Sequence, residues 1–538
     1  MEVDQRLDGV RSISVTDVKS CDRWLAEAPL ADSDQTCVEL TLLLERLEES
    51  PPADHVSLAI FDRLDSPIWV AIEEQTKRFT GHAVPLAGKG ALAFDCVFDL
   101  LTVYGRGNKR LFCTVIDHPE SRIAKHRGRI AFRAMQCSRE LALSHYRARR
   151  ELPAEVWEEL NELLLLAEQE GISAASAHPA SPPQSVEHLY VETALTHLVQ
   201  PFGRSARDLR VVLAFAREWA PYARLRTSQS ETAAIVVDLD SSEAPSIRRL
   251  ESTKMRRDAR VIDLSEVKQL LVLNIRSMKK EVKVAALDFP LEQTPQDVLP
   301  LLQHLYQSWF NYPQARRFQR RIVTARVEVI VGASAIHRAL GSTLARRTLE
   351  RGLAASSAPD QAPPNASQAD DMDKDPTITD WERGRTPPAL ERWDLLDEGP
   401  DGFRIRRREV GAPINDRQLV AIKPTGAKSF MLAQTRWLMT GIDGSISLGL
   451  HALVGLPQSV MIHMTESSGG STKTLSVPGF TLSKANDSLS MVVAARGSLH
   501  VGASVEIEFN STILRARLSQ ELENGHDFDL LTYTTLQA

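Results

Sequence analysis

Four arginines within one short segment are the side chains of this chain best suited to bind an anion. Arg316 and Arg320 are four residues apart, and Arg317 and Arg321 repeat that spacing. A guanidinium is planar and permanently charged, so it can hold phosphate oxygens in pairs, stack on a purine and donate to guanine O6 and N7. The alternative interpretation is a solvated basic turn, which is the commoner origin of an isolated arginine run.

A second candidate element follows after a long polar gap and begins at Asp397. Its carboxylate could accept hydrogen bonds from the Watson–Crick edge of a guanine. Gly399 and Gly402 would let the backbone approach a ligand without a Cβ atom in the way. Arginines then occupy every second position, which in a strand places them on one face: Arg404, Arg406 and Arg408. A plain Asp/Gly/Pro turn that opens a strand is the alternative.

The elements that would position these residues differ between the two halves of the chain. Apolar residues at three- and four-residue spacing predict a largely helical region from Cys37 to Ala220, with one clear helix over Glu155–Glu170. Residues 233–263 contain short strand-like runs. A last helix, capped by Thr294, leads directly into the arginine segment.

Beyond the arginines the pattern is typical of β-structure. An alternating strand is predicted at Arg326–Val331, and many short strands with Gly, Asn and Asp turns follow Trp393. Between them, residues 354–388 are rich in Ala, Ser, Pro and Asp and are predicted to be a disordered acidic insertion. The sequence therefore predicts an α+β multidomain protein, with a mainly helical domain at 1–310 and an antiparallel β-barrel domain at 311–538.

Together these motifs resemble the PilZ family of bacterial receptors for cyclic di-GMP. In that family an Arg-x-x-x-Arg pair precedes the first strand and an Asp/Asn-x-Ser-x-x-Gly turn follows in the barrel. Asp397 and Gly402 match the turn, but Gly399 stands where the family has serine. The helical half is similar to a subset of PilZ proteins in which a long helical region ends in a tryptophan like Trp309.

The resemblance implies a receptor that binds cyclic di-GMP, performs no chemistry and relays the signal to a protein partner through its helical domain. It implies a ligand site at these residues: Arg316, Arg317, Arg320, Arg321, Asp397, Gly399, Gly402 and Arg404. Loss of the serine hydroxyl removes a hydrogen bond to a charged group, which costs on the order of 1.5–3 kcal/mol, or one to two decades of affinity. A scaffold that binds protein partners without any ligand is therefore the alternative function.

Other function classes find little support in the sequence. The net charge of -6 and the acidic insertion disfavour nucleic-acid binding. No catalytic motif and no metal-ligand spacing is present, so neither an enzyme nor a cofactor is expected. The sequence has no run of about 18 apolar residues, which argues against membrane insertion. The acidic N-terminus lacks a signal-peptide pattern. The five cysteines are odd in number and dispersed, which is typical of a reducing cytoplasm.

Overall fold

A computed structural model describes most of the chain in ten stretches: residues 15–176, 184–227, 233–249, 257–279, 295–311, 320–341, 390–468, 471–483, 490–509 and 512–536. Arg316, Arg317, Thr294 and the 354–388 segment lie outside the described residues, so what was predicted for them stays a prediction. The chain divides into two compact units: residues 1–82 with 86–315, and residues 83–85 with 316–538.

The first unit is mainly helical, as the sequence predicted. Its described α-helices are α1 (Val18–Glu27), α2 (Ser33–Glu49), α3 (Asp54–Lys77), α4 (Gly88–Asp117), α5 (Arg127–Arg147), α6 (Ala154–Gln169), α7 (Val186–Leu198), α8 (Ala206–Trp219), α9 (Ser265–Lys279) and α10 (Pro295–Phe310). Side-chain caps start several of them. Asp32 accepts the backbone N–H groups of Asp34 and Gln35, and Ser205 accepts that of Asp208. The helix predicted at Glu155–Glu170 corresponds to α6 within one residue at each end.

A small sheet belongs to the same unit. Its strands are β1 (Arg224–Arg226), β2 (Ala233–Asp238), β3 (Ser246–Arg249) and β4 (Ala259–Asp263), in the order β1-β4-β2-β3 with antiparallel neighbours. The strand-like runs at 233–263 had left their pairing open. The structure pairs them with one another and with β1.

The helix before the arginine segment is firmly packed within the first unit. Trp309, near the end of α10, is buried and donates its indole N–H to the Leu195 carbonyl at 3.0 Å. Its ring meets that of Trp219 edge to face, with centroids 6.0 Å apart. The chain therefore leaves a well-packed element just before Arg316.

The second unit begins with a closed antiparallel barrel, which we call the first barrel. Its strands are β5 (Arg321–Val331), β6 (Glu391–Gly399), β7 (Gly402–Arg407), β8 (Leu419–Pro424), β9 (Met431–Thr440) and β10 (Ile446–Ala452), closed in the order β10-β7-β6-β5-β8-β9. β5 starts at Arg321, earlier than the strand predicted at Arg326–Val331. Trp393, Ile405 and Leu448 are among the residues that fill its core.

A second closed barrel follows where the sequence predicted one barrel domain. Its strands are β11 (Leu456–Ser468), β12 (Ser471–Ser483), β13 (Ser490–Ala495), β14 (Ser504–Phe509), β15 (Thr512–Asn524) and β16 (Phe528–Thr535), closed in the order β11-β12-β13-β16-β15-β14. Helix α11 (Ala333–Gly341), which leaves β5, buries Ile336 and Ala339 in the core of this second barrel. A helix that follows a strand of one barrel thus completes the core of the other.

Candidate functional site

The fold brings the arginine segment and the Asp397 element together. Arg320 Nη1 donates to Asp397 Oδ1 at 2.6 Å. The contact follows from the pairing of β5 with β6, in which Ile322 lies opposite Asp397. Both side chains are largely shielded, with 22% of Arg320 and 15% of Asp397 exposed. Two segments separated by the long insertion therefore meet at one edge of the first barrel.

The neighbouring arginine has a different partner. Arg321 forms an ion pair with Glu398, a residue that the sequence analysis did not single out, and 77% of the Arg321 side chain is exposed. Arg320 and not Arg321 therefore faces Asp397, which favours the Arg316/Arg320 frame of the motif over the Arg317/Arg321 frame. Arg316 and Arg317 themselves lie outside the described residues.

The two glycines of the Asp397 element end one strand and begin the next. Gly399 closes β6, Gly402 opens β7, and the two are opposite each other across the hairpin. A Cβ on Gly402 would lie 1.9 Å from the carbonyl oxygen of Leu450. Gly402 is thus required by the close packing of β7 against β10, a different reason from the ligand approach predicted from the sequence.

One transverse row of residues crosses four strands on the outer face of the first barrel. Asp397 on β6 lies opposite Arg404 on β7, Arg404 opposite Gly449 on β10, and Gly449 opposite Trp437 on β9. Residues that are directly opposite in a sheet project from the same face. Arg404 is exposed, and its Cζ lies 5.9 Å from the centroid of the Trp437 ring, within cation–π range.

The arginines predicted to share a face of one strand are only partly so arranged. β7 ends at Arg407, so Arg408 lies beyond the strand and only Arg404 and Arg406 alternate on it. Arg407 points into the barrel instead. Its Nη1 donates to Glu391 Oε2 at 2.6 Å, and its guanidinium lies 4.9 Å from the centroid of the Trp393 ring. This buried pair holds the start of β6 against the end of β7.

The Asp-Gly-Ser sequence at Asp443 is a hairpin turn, as predicted. Asp443 accepts the backbone N–H of Ser445 at 3.0 Å, between the end of β9 and the start of β10. Hydrogen bonds from the Ser445 hydroxyl and backbone hold the pKa of the Asp443 carboxyl below its usual range. The turn sets the register that places Gly449 opposite Trp437.

Sequence reasoning missed two residues of the row, Gly449 and Trp437. A Cβ on Gly449 would lie 1.9 Å from the indole nitrogen of Trp437. A glycine inside a strand is a known sign that another group approaches the backbone closely, and this signal was available. The identity of the approaching group depends on strand register, which the sequence alone did not supply.

A Ser–His–Glu array lies on the second barrel. His463 Nδ1 is 2.8 Å from Ser476 Oγ, and His463 Nε2 is 3.1 Å from Glu508 Oε2. Acyl-transfer chemistry also needs N–H donors aimed at a developing oxyanion. In β11, β12 and β14, where these residues lie, strand N–H groups are directed at neighbouring strands and away from the sheet face. We interpret the array as a cross-strand hydrogen-bond chain.

Two further chemistries were tested on the described stretches. Within them, no group of three His, Cys, Asp or Glu side chains is placed to hold a metal ion. None of the helices in the same stretches is long and apolar enough to span a membrane.

A six-stranded closed barrel preceded by an arginine segment that contacts an Asp-x-x-x-x-Gly hairpin defines the chain as a PilZ-domain protein. Comparison with protein families agrees. Residues 19–230 match the N-terminal domain of the cyclic-di-GMP receptor FimW, and residues 234–387 match its middle PilZ domain. The two matches cover more than half of the chain, which therefore belongs to the FimW family of cyclic-di-GMP receptors. No curated protein and no solved structure matches the chain closely enough to count as a relative.

The family matches and the compact units divide the chain differently. The middle-domain match begins at 234 and ends at 387, so it contains the arginine segment but neither Asp397 nor the second barrel. The compact units part between 315 and 316. The predicted domain boundary at 310/311 stays a prediction.

Proposed function

We propose that cyclic di-GMP binds on the outer face of the first barrel, between the Arg316–Arg321 segment and the Asp397–Arg404 hairpin. The observation that supports this most strongly is the 2.6 Å contact between Arg320 and Asp397. A cation and a carboxylate side by side suit a ligand that carries both phosphates and guanine edges. The phosphates need guanidinium donors, and the guanine N–H groups need an acceptor.

The Arg320–Asp397 contact leaves both groups able to bind more. A guanidinium has five N–H donors and a carboxylate has two oxygens, and the contact joins Nη1 to Oδ1. The ligand phosphate would take further donors from Arg320. A guanine edge would take the remaining capacity of Asp397. The pair thus orients the two groups before the ligand arrives, which lowers the ordering cost of binding.

The signal would pass to a protein partner through the helical unit. The arginine segment follows α10 with almost no intervening chain, and α10 is anchored by Trp309. A ligand that grips this segment acts directly on the connection between the units. It shifts their equilibrium only by its different affinity for the two arrangements. The receptor itself performs no reaction in this proposal. All five cysteines are free thiols, in keeping with the cytoplasm as the proposed location.

Isothermal titration of the full chain with cyclic di-GMP tests the proposal. We expect wild-type protein to bind, and Arg320→Ala to bind about ten- to a hundredfold more weakly, because hydrogen bonds to a charged group are lost. Arg515→Ala is the matched control. Arg515 is an exposed arginine on the second barrel with a single carboxylate contact to Glu506, and its removal should leave the affinity unchanged. Wild-type protein that gives no heat at micromolar ligand contradicts the proposal.

A ligand-independent scaffold is the second candidate function, and Gly399 favours it. The position that carries a hydroxyl in the resembling family has no side chain here. Thermal unfolding with and without cyclic di-GMP separates the two functions. A ligand at 100 times its dissociation constant should add about 2.7 kcal/mol to the free energy of unfolding. An unchanged melting temperature at millimolar ligand supports the scaffold.

A further inference from the structure

We propose that Trp437 and Gly449 form a stacking surface for one purine base of the ligand, with Arg404 at its edge. We call the Trp437 indole over the Gly449 backbone the aromatic shelf. This inference rests on the proposed function and names a subsite of the same site. It adds a residue that lies outside both sequence motifs and outside both family matches.

The shelf exists because residue 449 has no side chain. A Cβ there would lie 1.9, 2.4 and 2.5 Å from three atoms of the Trp437 ring, far inside contact distance. The indole therefore lies against the backbone of β10. Trp437 is half-buried, so one side of the ring is covered by the strand while part of the residue remains accessible to solvent. An exposed aromatic surface on a rigid strand is a good platform for a nucleobase.

The shelf is also placed at the right distance from the arginine segment. Asp397, Arg404, Gly449 and Trp437 follow one another across β6, β7, β10 and β9. Three strand spacings of about 4.8 Å separate the first from the last, a span of about 14 Å. A dinucleotide can bridge such a span, with one base near Asp397 and the other on the shelf.

Arg404 lies between these two ends. Its guanidinium is 5.9 Å from the centre of the Trp437 ring, and among the described residues it forms no ion pair. It is free to donate to a phosphate that joins the two nucleosides, or to O6 and N7 of the stacked base. The shelf supplies stacking that any purine accepts, while Arg404 and Asp397 supply the hydrogen bonds that distinguish guanine.

The test is a titration of full-length wild-type protein, Trp437→Leu and Trp437→Phe with cyclic di-GMP. Loss of base–aromatic stacking should weaken binding by Trp437→Leu roughly ten- to a hundredfold. Trp437→Phe keeps a ring and should lose only a few-fold. Trp69→Leu, a half-buried tryptophan of α3 in the first unit, is the matched control and should bind like wild type.

A second variant and a spectroscopic probe separate stacking from folding. Gly449→Ala keeps every ligand-facing side chain but displaces the indole, so it should weaken binding in the same direction. An analogue with one guanine replaced by 2-aminopurine should lose fluorescence on binding wild-type protein and recover it with Trp437→Leu. Melting temperatures of all variants report whether the barrel is intact.

The outcomes distinguish this inference from the proposed function. If wild-type protein does not bind cyclic di-GMP, both are overturned. If wild-type protein binds and a folded Trp437→Leu binds equally well, only the aromatic shelf is overturned. Weaker binding by Trp437→Leu and Gly449→Ala, with Trp437→Phe and Trp69→Leu near wild type, supports the shelf.

Discussion

At the scale of single residues, two adjacent ion pairs on the first barrel differ in how far water reaches them. Arg320 and Asp397 are 22% and 15% exposed, whereas Arg321 beside Glu398 is 77% exposed. Solvent screens an exposed pair until it contributes little, while a shielded pair keeps more of its Coulomb energy. Arg320 and Asp397 are therefore the pair through which a bound anion would act most strongly.

The missing hydroxyl at Gly399 gives a gain-of-function prediction. Glycines with positive φ in the described chain include Gly402 but not Gly399, so a side chain at 399 meets no backbone strain of that kind. We expect Gly399→Ser to strengthen cyclic di-GMP binding about tenfold by adding one hydrogen bond to a charged ligand. Gly399→Ala, which adds a Cβ without a hydroxyl, is the control. Equal affinity of the two variants in calorimetric titrations would count against a ligand at this hairpin.

At the scale of elements, the β6–β7 hairpin is held at its base by a buried ion pair. Arg407 Nη2 donates to the Ala412 carbonyl at 3.0 Å, and Glu391 Oε1 accepts the Ala412 N–H at 2.7 Å. Only 2% of the Arg407 side chain is exposed. A charge so deeply buried is tolerated because its partner and the loop backbone satisfy it. The hairpin that carries Asp397 at its tip is thus rigid at its base.

Removing one member of this pair should cost more than neutralising both. We expect Arg407→Met to lower the free energy of unfolding by about 3–5 kcal/mol, since Glu391 would remain as an uncompensated buried charge. Adding Glu391→Gln should restore part of that loss, because the amide oxygen can still accept the Ala412 N–H. Urea unfolding of the two single variants and the double variant measures the coupling. Simple additivity of the losses would argue that the pair is not buried as described.

At the scale of the whole molecule, one carboxylate joins the two barrels of the second unit. Asp527, in the connection between β15 and β16, accepts the backbone N–H of Ala333 at 2.7 Å and that of Leu419 at 2.9 Å. Burial raises the pKa of Asp527, against the effect of those two hydrogen bonds. Ala333 starts α11 and Leu419 starts β8. The second barrel is therefore bonded directly to the elements that leave the first barrel.

The helical unit should lose stability in mild acid because of two histidines. Burial lowers the pKa of His145 and of His197 to about 4, whereas an unfolded histidine titrates near 6.5. Between these values the unfolded state binds more protons, so stability falls as pH is lowered. Each histidine should cost up to about 2 kcal/mol between pH 6.5 and 5.

Urea unfolding of the full chain, followed by helical circular dichroism at pH 7 and pH 5, measures this loss. His145→Asn keeps an N–H for the Glu151 carbonyl that His145 Nδ1 contacts at 2.8 Å, and it removes one titrating group. We expect it to reduce the loss by roughly half of the part due to the two histidines. An identical pH dependence in His145→Asn would show that His145 does not titrate in this range.

Local patterns in the sequence determined the helical half, the β-rich half and the PilZ resemblance. The helix at Glu155–Glu170 and the turn at Asp443 were both located from residue spacing, because caps, apolar periodicity and turn residues act within a few positions along the chain. The link between Arg320 and Asp397 also followed from motif spacing, although the choice between the two arginine frames did not.

Only the tertiary structure decided that the β-rich half closes into two barrels, that Arg407 turns inward and that Trp437 lies over Gly449. Alternation along a strand states which residues share a face. It does not state which strand is the neighbour or in what register, because hydrogen bonds between distant segments set both. The aromatic shelf depends on that register. A one-residue slip of β9 against β10 would turn Trp437 away from Gly449 and remove it.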